Sequence, residues 1–384
     1  MKVDADMNCH SSGRDVISLK PREYYLSEEI FDKEYERVFS IDWIFVGHVS
    51  QFPEVGSYLK VLFGGEEVVC TRGDGGVFHA HFNVCSHRGA RICGERSGNA
   101  RQGFVCPYHK WHFAIDGSLK SVPQMRDGEY FDYSDNGLKK AHADVWNGLV
   151  FIHLGQTEPE PLATRMRPYD NVAAKFDPVR AKLVHEEIFQ IAANWKIVVE
   201  NGLECYHCPG NHKSLARVID VAGLQAEMGE WMQDEDAAEV LGNPQRLREG
   251  MQSCSADGTL IAKKLLGTCT AQDHGIAGGI NVVPNPAYLA FYVDHFWTIS
   301  VRPLSAKSTE LVYSWYVHED AEEGRDFDLA RLVEVGHITQ VEDNVLCEMT
   351  QSGLGSRHYV PGPIVSKVEP GIRDFASSYA KLMA

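Results

Sequence analysis

Two short segments of the chain each combine one cysteine with one histidine. Cys85 and His87 are two residues apart in CSHRGA, and Cys106 and His109 are three apart in CPYHKWHF. Two thiolates and two imidazoles form a four-donor set. It suits a tetrahedral zinc site, or a [2Fe–2S] cluster in which both cysteines bind one iron and both histidines bind the other. The remaining alternative is ordinary buried cysteines with hydrogen-bonded histidines.

The distribution of these residues between the two segments favours the iron–sulfur cluster. Zinc sites usually take cysteines from one hairpin and histidines from another, whereas here each segment supplies one of each. A binuclear cluster requires this arrangement because each loop must reach both irons. Gly89 permits a tight turn, and Pro107 stiffens the second loop. Cys93 lies outside the pattern and is interpreted as a small packing residue.

Two further histidines stand close together in NWKIVVENGLECYHCPGNH, residues 194–212. His207 and His212 have the spacing H-x4-H on a predicted helix that should break at Pro209–Gly210. A kink there would turn the second imidazole towards the same ion. Two imidazoles and one carboxylate make the facial triad of non-haem Fe(II) oxygenases, which leaves positions open for O2 and substrate. The alternative is a pair of structural histidines.

The residues just before His207 also bear on this site. Glu204 stands one helical turn earlier, so its carboxylate can accept a hydrogen bond from the far nitrogen of the imidazole, unless it is a plain surface residue. Cys205 and Cys208 form C-x-x-C, for which a redox or zinc motif is one interpretation. No second C-x-x-C is present, and we interpret the two cysteines as packing residues beside the histidines.

The elements that position these residues fall into a lead and two bodies. Residues 1–15 are polar and are predicted to be disordered, and a helix capped by Ser27 follows. Short strands broken by glycines between Trp43 and Leu154 predict a small all-β domain. A proline-rich stretch, residues 157–169, marks a boundary. We therefore predict a lead at 1–40, a β domain at 41–158 and a larger domain at 159–384.

The larger domain mixes strands and helices. KLVHEEIFQIAAN, AYLAFYVDHFWTISVRPL and TELVYSWYVHE read as long strands, and residues 210–280 read as a mobile lid. A helix is predicted from Asp326 to Gln351. The residues expected on its apolar face are Leu329, Val333, Ile338, Val341, Val345 and Met349.

Composition limits the classes of function. The 384 residues include 37 basic and 53 acidic side chains, a net charge of −16, which argues against nucleic acid or an anionic membrane as a partner. No apolar run could span a bilayer, and the first residues lack a signal-peptide core. We therefore expect a cytoplasmic protein whose ten cysteines are reduced.

Together these motifs resemble the Rieske non-haem iron oxygenases, in their catalytic alpha subunit, over almost the whole chain. The implied fold is α+β, with a small all-β Rieske domain and a larger, helix-grip-like antiparallel sheet domain whose helices carry a mononuclear iron. The implied cluster ligands are Cys85, His87, Cys106 and His109. The implied iron ligands are His207, His212 and Asp343, the last from EDNVLCEMTQ.

The resemblance also separates Asp343 from its acidic neighbours. Glu342 would point about 100° away around the helix, and Glu348 lies on another turn, so neither is expected to bind the iron. Asn201 matches an asparagine that the family places near the iron. The chain departs from the family at Lys110, where glycine is usual, and at His112, where a small or hydroxyl residue is usual.

The resemblance implies a cycle with a partner protein. A separate flavin and iron–sulfur reductase would take electrons from NAD(P)H and pass them to the cluster. Glu204 would then link the iron site to His109 of the partner subunit within a head-to-tail homotrimer. Two alternatives are an arene dihydroxylase with a β subunit and a non-enzymatic electron-transfer or zinc-stapled binding protein.

The substrate is indicated only by aromatic strands and by the overall look of the sequence. The amino-acid sequence resembles most the choline, glycine-betaine, carnitine and stachydrine monooxygenase branch. We therefore predict monooxygenation or oxidative N-demethylation of a small polar compound such as a quaternary ammonium, with hydroxylation of an aromatic or natural-product substrate as the alternative. The aromatic candidates for the pocket wall are Tyr288, Phe291, Tyr292, Phe296, Trp297, Tyr313, Trp315 and Tyr316.

Overall fold

The computed structural model describes residues 21–221, 246–282, 284–365 and 368–384. For residues 16–18 it describes the backbone alone. The chain forms two compact units, one of Phe39–Arg167 and one that combines the chain before Phe39 with Pro168–Ala384. The disorder predicted for residues 1–15 and part of the predicted lid lie outside the described residues. Within the described ranges, no helix has the length and apolar character needed to cross a bilayer.

The smaller unit is built from antiparallel β-sheets, as the glycine-broken strands predict. Its turns use glycines with positive φ, including Gly64 at 60° and Gly117 at 82°. A three-stranded sheet consists of Phe104–Val105, His112–Phe113 and Leu119–Ser121. A seven-stranded sheet contains, in spatial order, Ile44–His48, Leu149–His153, Lys140–Trp146, Phe78–Phe82, Glu66–Arg72, Ser57–Phe63 and Ser97–Asn99.

The larger unit has a five-stranded antiparallel sheet. Its strands, in spatial order, are Ala181–Ile191, Ser308–His318, His295–Ser305, Ala287–Tyr292 and Ala277–Val282. The single long strand expected from AYLAFYVDHFWTISVRPL is wrong, because the chain turns at Asp294. This buried carboxylate accepts hydrogen bonds from Ser253 Oγ at 2.5 Å and from the amide of Ile261 at 2.6 Å, so the backbone leaves the strand to satisfy it.

The aromatic residues of this sheet divide between its two faces, as the alternation of strand side chains requires. Phe296 stacks on Tyr316 with ring centroids 4.4 Å apart on one face. Tyr313 stacks on Trp315 at 3.9 Å on the other. Tyr288 lies on this second face and donates a hydrogen bond to the carbonyl of Val199 in a helix. The second face, here called the aromatic face, carries Tyr288, Tyr292, Trp297, Tyr313 and Trp315.

Helices of the larger unit lie beside this sheet and at its ends. Ser27 begins one of them as predicted, since its hydroxyl accepts a hydrogen bond from the amide of Ile30. The described α-helices of the larger unit are Glu23–Leu26, Glu28–Glu34, Asp170–Phe176, Trp195–Gly202, Cys208–Asn211, Leu215–Val218, Leu329–Leu354 and Pro370–Met383.

The Leu329–Leu354 helix confirms the predicted element but not its predicted apolar face. Val341, Val345 and Met349 are 42%, 53% and 66% exposed. The helix instead turns Gly336 towards the sheet, where a Cβ would come within 2.4 Å of the Tyr313 hydroxyl oxygen. The orientation of the helix is therefore set by the close approach of its backbone to the sheet at Gly336 and by the polar residues on the same side. The spacing of its apolar residues does not determine it.

A buried ion pair joins three helices of the larger unit. Lys196 Nζ contacts Glu34 Oε1 at 2.5 Å, and both side chains are inaccessible to solvent. Glu34 also accepts hydrogen bonds from Trp195 Nε1 at 2.8 Å and from the Tyr379 hydroxyl. Burial lowers the pKa of Lys196, and the carboxylate of Glu34 opposes that effect. The pair therefore holds the Trp195–Gly202 helix against both the N-terminal and the C-terminal helices.

Replacing one partner of this pair should destabilise the larger unit. Glu34→Gln leaves the Lys196 ammonium buried without its counter-charge, which costs about 3–5 kcal/mol. We expect the urea unfolding midpoint, followed by tryptophan fluorescence, to fall clearly. Glu29→Gln on the same N-terminal segment removes the exposed contact to Lys33 and serves as the control, for which we expect no measurable shift. Equal midpoints for the two variants would contradict the structural role of the buried pair.

Candidate metal centres

The two cysteine–histidine segments of the smaller unit fold into loops of the same design. The amide of Cys85 donates to the carbonyl of Ala90 at 2.8 Å, and the amide of Gly89 donates to the carbonyl of Cys85 at 2.9 Å. The loop from Cys106 to Trp111 repeats both hydrogen bonds at the same spacing, at 2.8 and 3.1 Å. Each cysteine therefore begins a closed loop that carries one histidine, two or three residues further on.

The fifth residue of each loop has a left-handed backbone. Gly89 has φ 73° and Lys110 has φ 60°. This conformation favours glycine, so Lys110 adopts a backbone that is less favourable for a residue with a side chain. The Lys110 side chain folds back and donates a hydrogen bond to the carbonyl of Pro107 at 3.1 Å. The other departure, His112, places its Nε2 2.6 Å from the carbonyl oxygen of Gln102.

The two cysteines of these loops are neighbours, and so are the two histidines, which fits a cluster with both cysteines on one iron and both histidines on the other. Cys85 and Cys106 are buried, and burial raises the pKa of the Cys85 thiol, with the neighbouring Cys106 adding to the effect. The rings of His87 and His109 lie 4.6 Å apart between centroids. His109 Nδ1 is a buried nitrogen with no hydrogen-bond partner among the described residues. An orphaned ring nitrogen is a vacant donor, so these four residues could hold the cluster.

Aromatic rings support the two histidines. His87 stacks on Trp111 at a centroid distance of 4.6 Å and an interplanar angle of 5°. Tyr108 stacks on His109 at 3.8 Å and is 56% exposed. Cys93 is buried in the same apolar cluster, as predicted for a packing residue. The loop tip thus presents a histidine and a tyrosine at the surface of the unit.

The His207 and His212 segment of the larger unit does not form the kinked helix predicted for it. The Trp195–Gly202 helix begins at its cap, Asn194, whose side-chain oxygen accepts from the amide of Lys196 at 3.0 Å. It ends at Gly202, where the ring of Tyr288 packs so closely that a Cβ would lie 3.3 Å from it. A separate one-turn helix, Cys208–Asn211, then lies between the two histidines.

Three donor atoms meet at one point of the larger unit. The Nε2 atoms of His207 and His212 lie 3.1 Å apart. Asp343 Oδ1 lies 3.2 Å from the first and 2.9 Å from the second. Donors about 2.1 Å from an ion and at right angles to each other would be separated by roughly 3.0 Å. The triangle therefore fits one face of a six-coordinate metal, and these three residues could hold the iron.

A carboxylate lies on the far nitrogen of each imidazole. His207 Nδ1 donates to Glu204 Oε1 at 2.6 Å, which is the hydrogen bond expected from the sequence. The other oxygen of Glu204 accepts from the amides of Tyr206 and His207. His212 Nδ1 donates to Glu342 Oε2 at 2.8 Å. Such partners fix the orientation and tautomer of metal-binding histidines.

Sequence reasoning missed the role of Glu342, because it was considered only as a rival ligand to Asp343. The two nitrogens of one imidazole point in different directions, so two consecutive helix residues can contact the same ring. Glu342 binds the Nδ1 side of His212 while Asp343 faces the Nε2 side. The adjacent acidic pair in the sequence is the signal that could have indicated this. Glu348, in contrast, accepts from the amide of Ala192.

Asn201 lies within this group, as the resemblance implies. Its Nδ2 donates to Asp343 Oδ1 at 3.2 Å and lies 3.4 Å from His207 Nε2. The amide thus contacts both a carboxylate and an imidazole of the donor set. This position suits a residue that orients Asp343 beside a bound ligand.

The electrostatics of the group favour a bound cation. Burial alone would lower the pKa of His207, but hydrogen bonds to Asp343 and Glu204 raise it to about 9. The pKa of His212 is raised in the same way, against burial, by Asp343 and Glu342. Burial would raise the pKa of Asp343, but the two histidines lower it. Three carboxylates around two imidazoles therefore hold positive charge, which a divalent metal supplies in place of protons.

Two cysteines of the larger unit are not reduced. Cys205 and Cys208 form a disulfide, so the prediction that all cysteines are reduced is wrong for this pair. Both are buried in an apolar cluster, which confirms their packing role. Their separation of three residues, with His207 between them, brings the sulfurs together and places Cys208 Sγ 3.9 Å from His207 Nε2.

The hydrogen bond between His212 and Glu342 leads to a test of the metal site. Glu342→Gln keeps the size of the side chain but removes its charge, so we expect the affinity for Fe(II) to fall about 10–100-fold. The whole protein, with the site in the larger unit free of iron, is titrated with Fe(II). The amount of iron that the protein retains after gel filtration measures the affinity. Glu334→Gln, exposed on the same helix, is the matched control. Unchanged iron retention in Glu342→Gln would contradict the positioning role, provided that the cluster spectrum shows the protein is folded.

Comparisons with known proteins match each of the two regions that carry a donor set to a family. The Rieske [2Fe-2S] domain family matches residues 42–140, and the ring hydroxylating alpha subunit (catalytic domain) family matches residues 170–384. The glycine betaine monooxygenase oxygenase subunit of Chromohalobacter salexigens is 32% identical over 94% of this chain and 85% of its own length. The corresponding subunit of Pseudomonas aeruginosa is 31% identical over 100% of this chain and 92% of its own.

A solved structure is similar over nearly the full length of the chain. The quaternary ammonium Rieske monooxygenase CntA, in complex with L-carnitine, is 25% identical and has a TM-score of 0.74 over 96% of this chain and 97% of that chain. Family matches in both halves, relatives that span nearly the full chain, and the two donor sets lead to one conclusion. The chain belongs to the Rieske non-haem iron oxygenases, as a catalytic alpha subunit with a [2Fe–2S] cluster and a mononuclear non-haem iron.

Proposed function

We propose that this oxygenase monooxygenates or oxidatively N-demethylates a small quaternary ammonium compound. The observation that carries the proposal is the aromatic face, because its residues Tyr292 and Trp297 pack in the apolar cluster that contains Cys208, next to His207. The names of the relatives support it, since they act on glycine betaine and carnitine. We further propose a cytoplasmic location, which suits a partner reductase that uses NAD(P)H.

The proposal assigns each donor set to one metal group. When bound, the cluster supplies one-electron transfer and the mononuclear iron supplies O2 activation. Glu204 and Glu342 would hold the two imidazoles in place, and Asn201 would orient the carboxylate. The proposed cluster ligands are Cys85, His87, Cys106 and His109. The proposed iron ligands are His207, His212 and Asp343. The proposed domains are those expected from the sequence, 41–158 for the cluster and 159–384 for the iron, with 1–40 as a lead.

The aromatic face has the chemistry to receive a quaternary ammonium group. Trp297 is partly exposed and packs against the apolar cluster that contains Cys208, which neighbours His207. Its ring lies 5.3 Å from that of Tyr313 in an edge-to-face arrangement. Aromatic rings attract a cation that has no hydrogen-bond donors, at about 0.5–2 kcal/mol per contact. The surplus of carboxylates beside the iron site adds long-range attraction for a positive substrate.

The consumption of O2 and NADH in the presence of each compound of a panel of betaines and aromatic acids tests this function. We expect O2 and NADH use with a generic reductase to be stimulated by betaines, with a demethylated or hydroxylated product identified by mass spectrometry. Trp297→Leu should raise the KM for the cation about 3–30-fold, which corresponds to the loss of one cation–π contact. The control is a neutral analogue of the substrate in which a tert-butyl group replaces the quaternary ammonium group. Its binding should change little in Trp297→Leu.

The panel also separates the alternatives. A product from aromatic acids or arenes, without one from betaines, would overturn the proposed substrate in favour of aromatic hydroxylation. His207→Ala should lose turnover while the visible spectrum of the cluster remains. Loss of that spectrum in the variant would show that the two metal groups are wrongly assigned.

We propose that the oxygenase works with a separate reductase and as a head-to-tail homotrimer. Tyr108 exposes the loop tip beside His109, and the larger unit exposes Val341, Val345 and Met349 along one helix. Exposed apolar side chains in a row are typical of subunit contacts. In such an assembly Glu204 would lie between the iron site and His109 of the partner subunit. Head-to-tail contacts of one type close into a ring, so the proposed trimer needs no second type of subunit contact.

Glu204→Gln tests this link. The amide can still contact His207 but carries no charge, so we expect both metal groups to remain bound while electron delivery across the boundary slows. In stopped flow, the pre-reduced cluster should stay reduced after O2 and substrate are added. Tyr206→Phe, next to it in the loop, is the control and should reoxidise like the wild type. Wild-type reoxidation and single-turnover product in Glu204→Gln would remove this residue from the pathway, and a native mass of one or two chains would refute the trimer.

A further inference from the structure

The Cys205–Cys208 disulfide has no part in the proposed reaction, yet it lies against the iron site. The two cysteines flank Tyr206 and His207 in the chain. Cys208 is 3% exposed and belongs to the apolar cluster under the aromatic face. Tyr206 between them is 65% exposed, so the loop that carries the disulfide reaches the surface.

Cys208 stands close enough to the histidines to act as a metal ligand once its sulfur is free. Its Sγ lies 3.9 Å from His207 Nε2. The ligand atoms of His207, Cys208 and His212 all lie within 4.8 Å of one another. In a tetrahedral zinc site, sulfur at about 2.3 Å and nitrogen at about 2.1 Å are separated by roughly 3.6 Å. The distance from Cys208 Sγ to His207 Nε2 is within a few tenths of an ångström of this value, so a free Cys208 thiol is placed to become a further donor.

We propose that Cys205 and Cys208 form a thiol–disulfide switch that determines which metal the histidine site accepts. The inference rests on the proposed assignment of His207, His212 and Asp343 as ligands. In the disulfide form both sulfurs are bonded to each other, and the three donors leave positions open for O2 and substrate. In the dithiol form Cys208 adds a thiolate, and the resulting set of two imidazoles, one carboxylate and one thiolate closes around zinc.

The switch requires a two-electron oxidant and a two-electron reductant. Hydrogen peroxide serves as the oxidant: one thiolate attacks a peroxide oxygen, which gives a sulfenic acid and hydroxide, and the second thiol displaces the sulfenic oxygen as water. In total two thiols and one peroxide give one disulfide and two waters. A small dithiol reverses the step by exchange, contributes two electrons and two protons, and leaves as its own disulfide.

The apolar cluster offers a matched cysteine that should not take part. Cys254 is buried in the same cluster, and burial raises the pKa of its thiol to about 11. It lies beside Tyr292 rather than beside the histidines. Cys254→Ser therefore controls for the loss of a buried thiol, while Cys205→Ser frees the Cys208 thiol and Cys208→Ser removes it.

Zinc X-ray absorption in the whole protein tests the proposal. The mononuclear metal is exchanged for zinc while the iron–sulfur cluster stays in place, so that only the site of interest contains zinc. We expect a sulfur neighbour at about 2.3 Å in reduced wild type and in Cys205→Ser. Peroxide-treated wild type and Cys208→Ser should show only nitrogen and oxygen neighbours. Cys254→Ser should follow the wild type in both redox states.

Competition between zinc and Fe(II) gives a second readout. Reduced wild type and Cys205→Ser should favour zinc at least about tenfold more than the oxidised wild type, because a thiolate prefers the softer ion. Alkylation after denaturation should count two fewer thiols in peroxide-treated protein than in reduced protein. The cluster spectrum shows which variants are folded, and the comparison of reduced with oxidised wild type needs no variant.

Three results would overturn the switch. They are the absence of a zinc–sulfur neighbour in Cys205→Ser, the presence of one in Cys208→Ser, and an unchanged thiol count after peroxide. None of these measurements uses a substrate, so they are independent of the betaine panel. A failed panel with a redox-dependent sulfur neighbour would refute the proposed substrate alone, whereas the reverse pattern would refute only the switch.

Discussion

Asp343 Oδ1 lies within 3.2 Å of the Nε2 atoms of two histidines, and the larger unit is arranged around this contact. The carboxylate comes from a helix more than 130 residues further along the chain, so only tertiary packing can bring it there. Gly336, two turns earlier on that helix, lets Tyr313 approach the backbone. The buried pair of Lys196 and Glu34 fixes the helix that carries Asn201. Both devices hold backbone elements in place, which a metal site needs because its donors tolerate little displacement.

This constraint explains why the Leu329–Leu354 helix does not bury the side that its apolar spacing indicates. A helix can direct only one side inward, and here that side must carry Asp343 and Glu342 to the histidines. Val345 and Met349 consequently remain at the surface. This exposure is unfavourable in an isolated subunit. The rotation of the helix that places the two carboxylates therefore also creates the apolar surface that the proposed trimer would cover.

The sequence predicted what depends on local spacing and missed what depends on distant partners. The two cysteine–histidine loops, the Ser27 cap and the hydrogen bond from His207 to Glu204 each follow from residues a few positions apart. The turn at Asp294 depends on amides more than 30 residues away that satisfy its carboxylate. The contact of Glu342 with His212 spans 130 positions. Periodicity contains no information on either of these partners.

The same short-range chemistry raises the question of metal choice at the proposed iron site. Two imidazoles and a carboxylate bind zinc more tightly than Fe(II), since affinity rises along the first-row series towards copper and remains above iron at zinc. The donor set by itself therefore does not select iron. A nearby thiolate would increase the preference for zinc further, because sulfur is the softer donor. Cys208 Sγ lies only 3.9 Å from His207 Nε2, so bonding it to Cys205 withholds that donor. In the proposed switch, the disulfide therefore keeps open the coordination positions that oxygen chemistry requires.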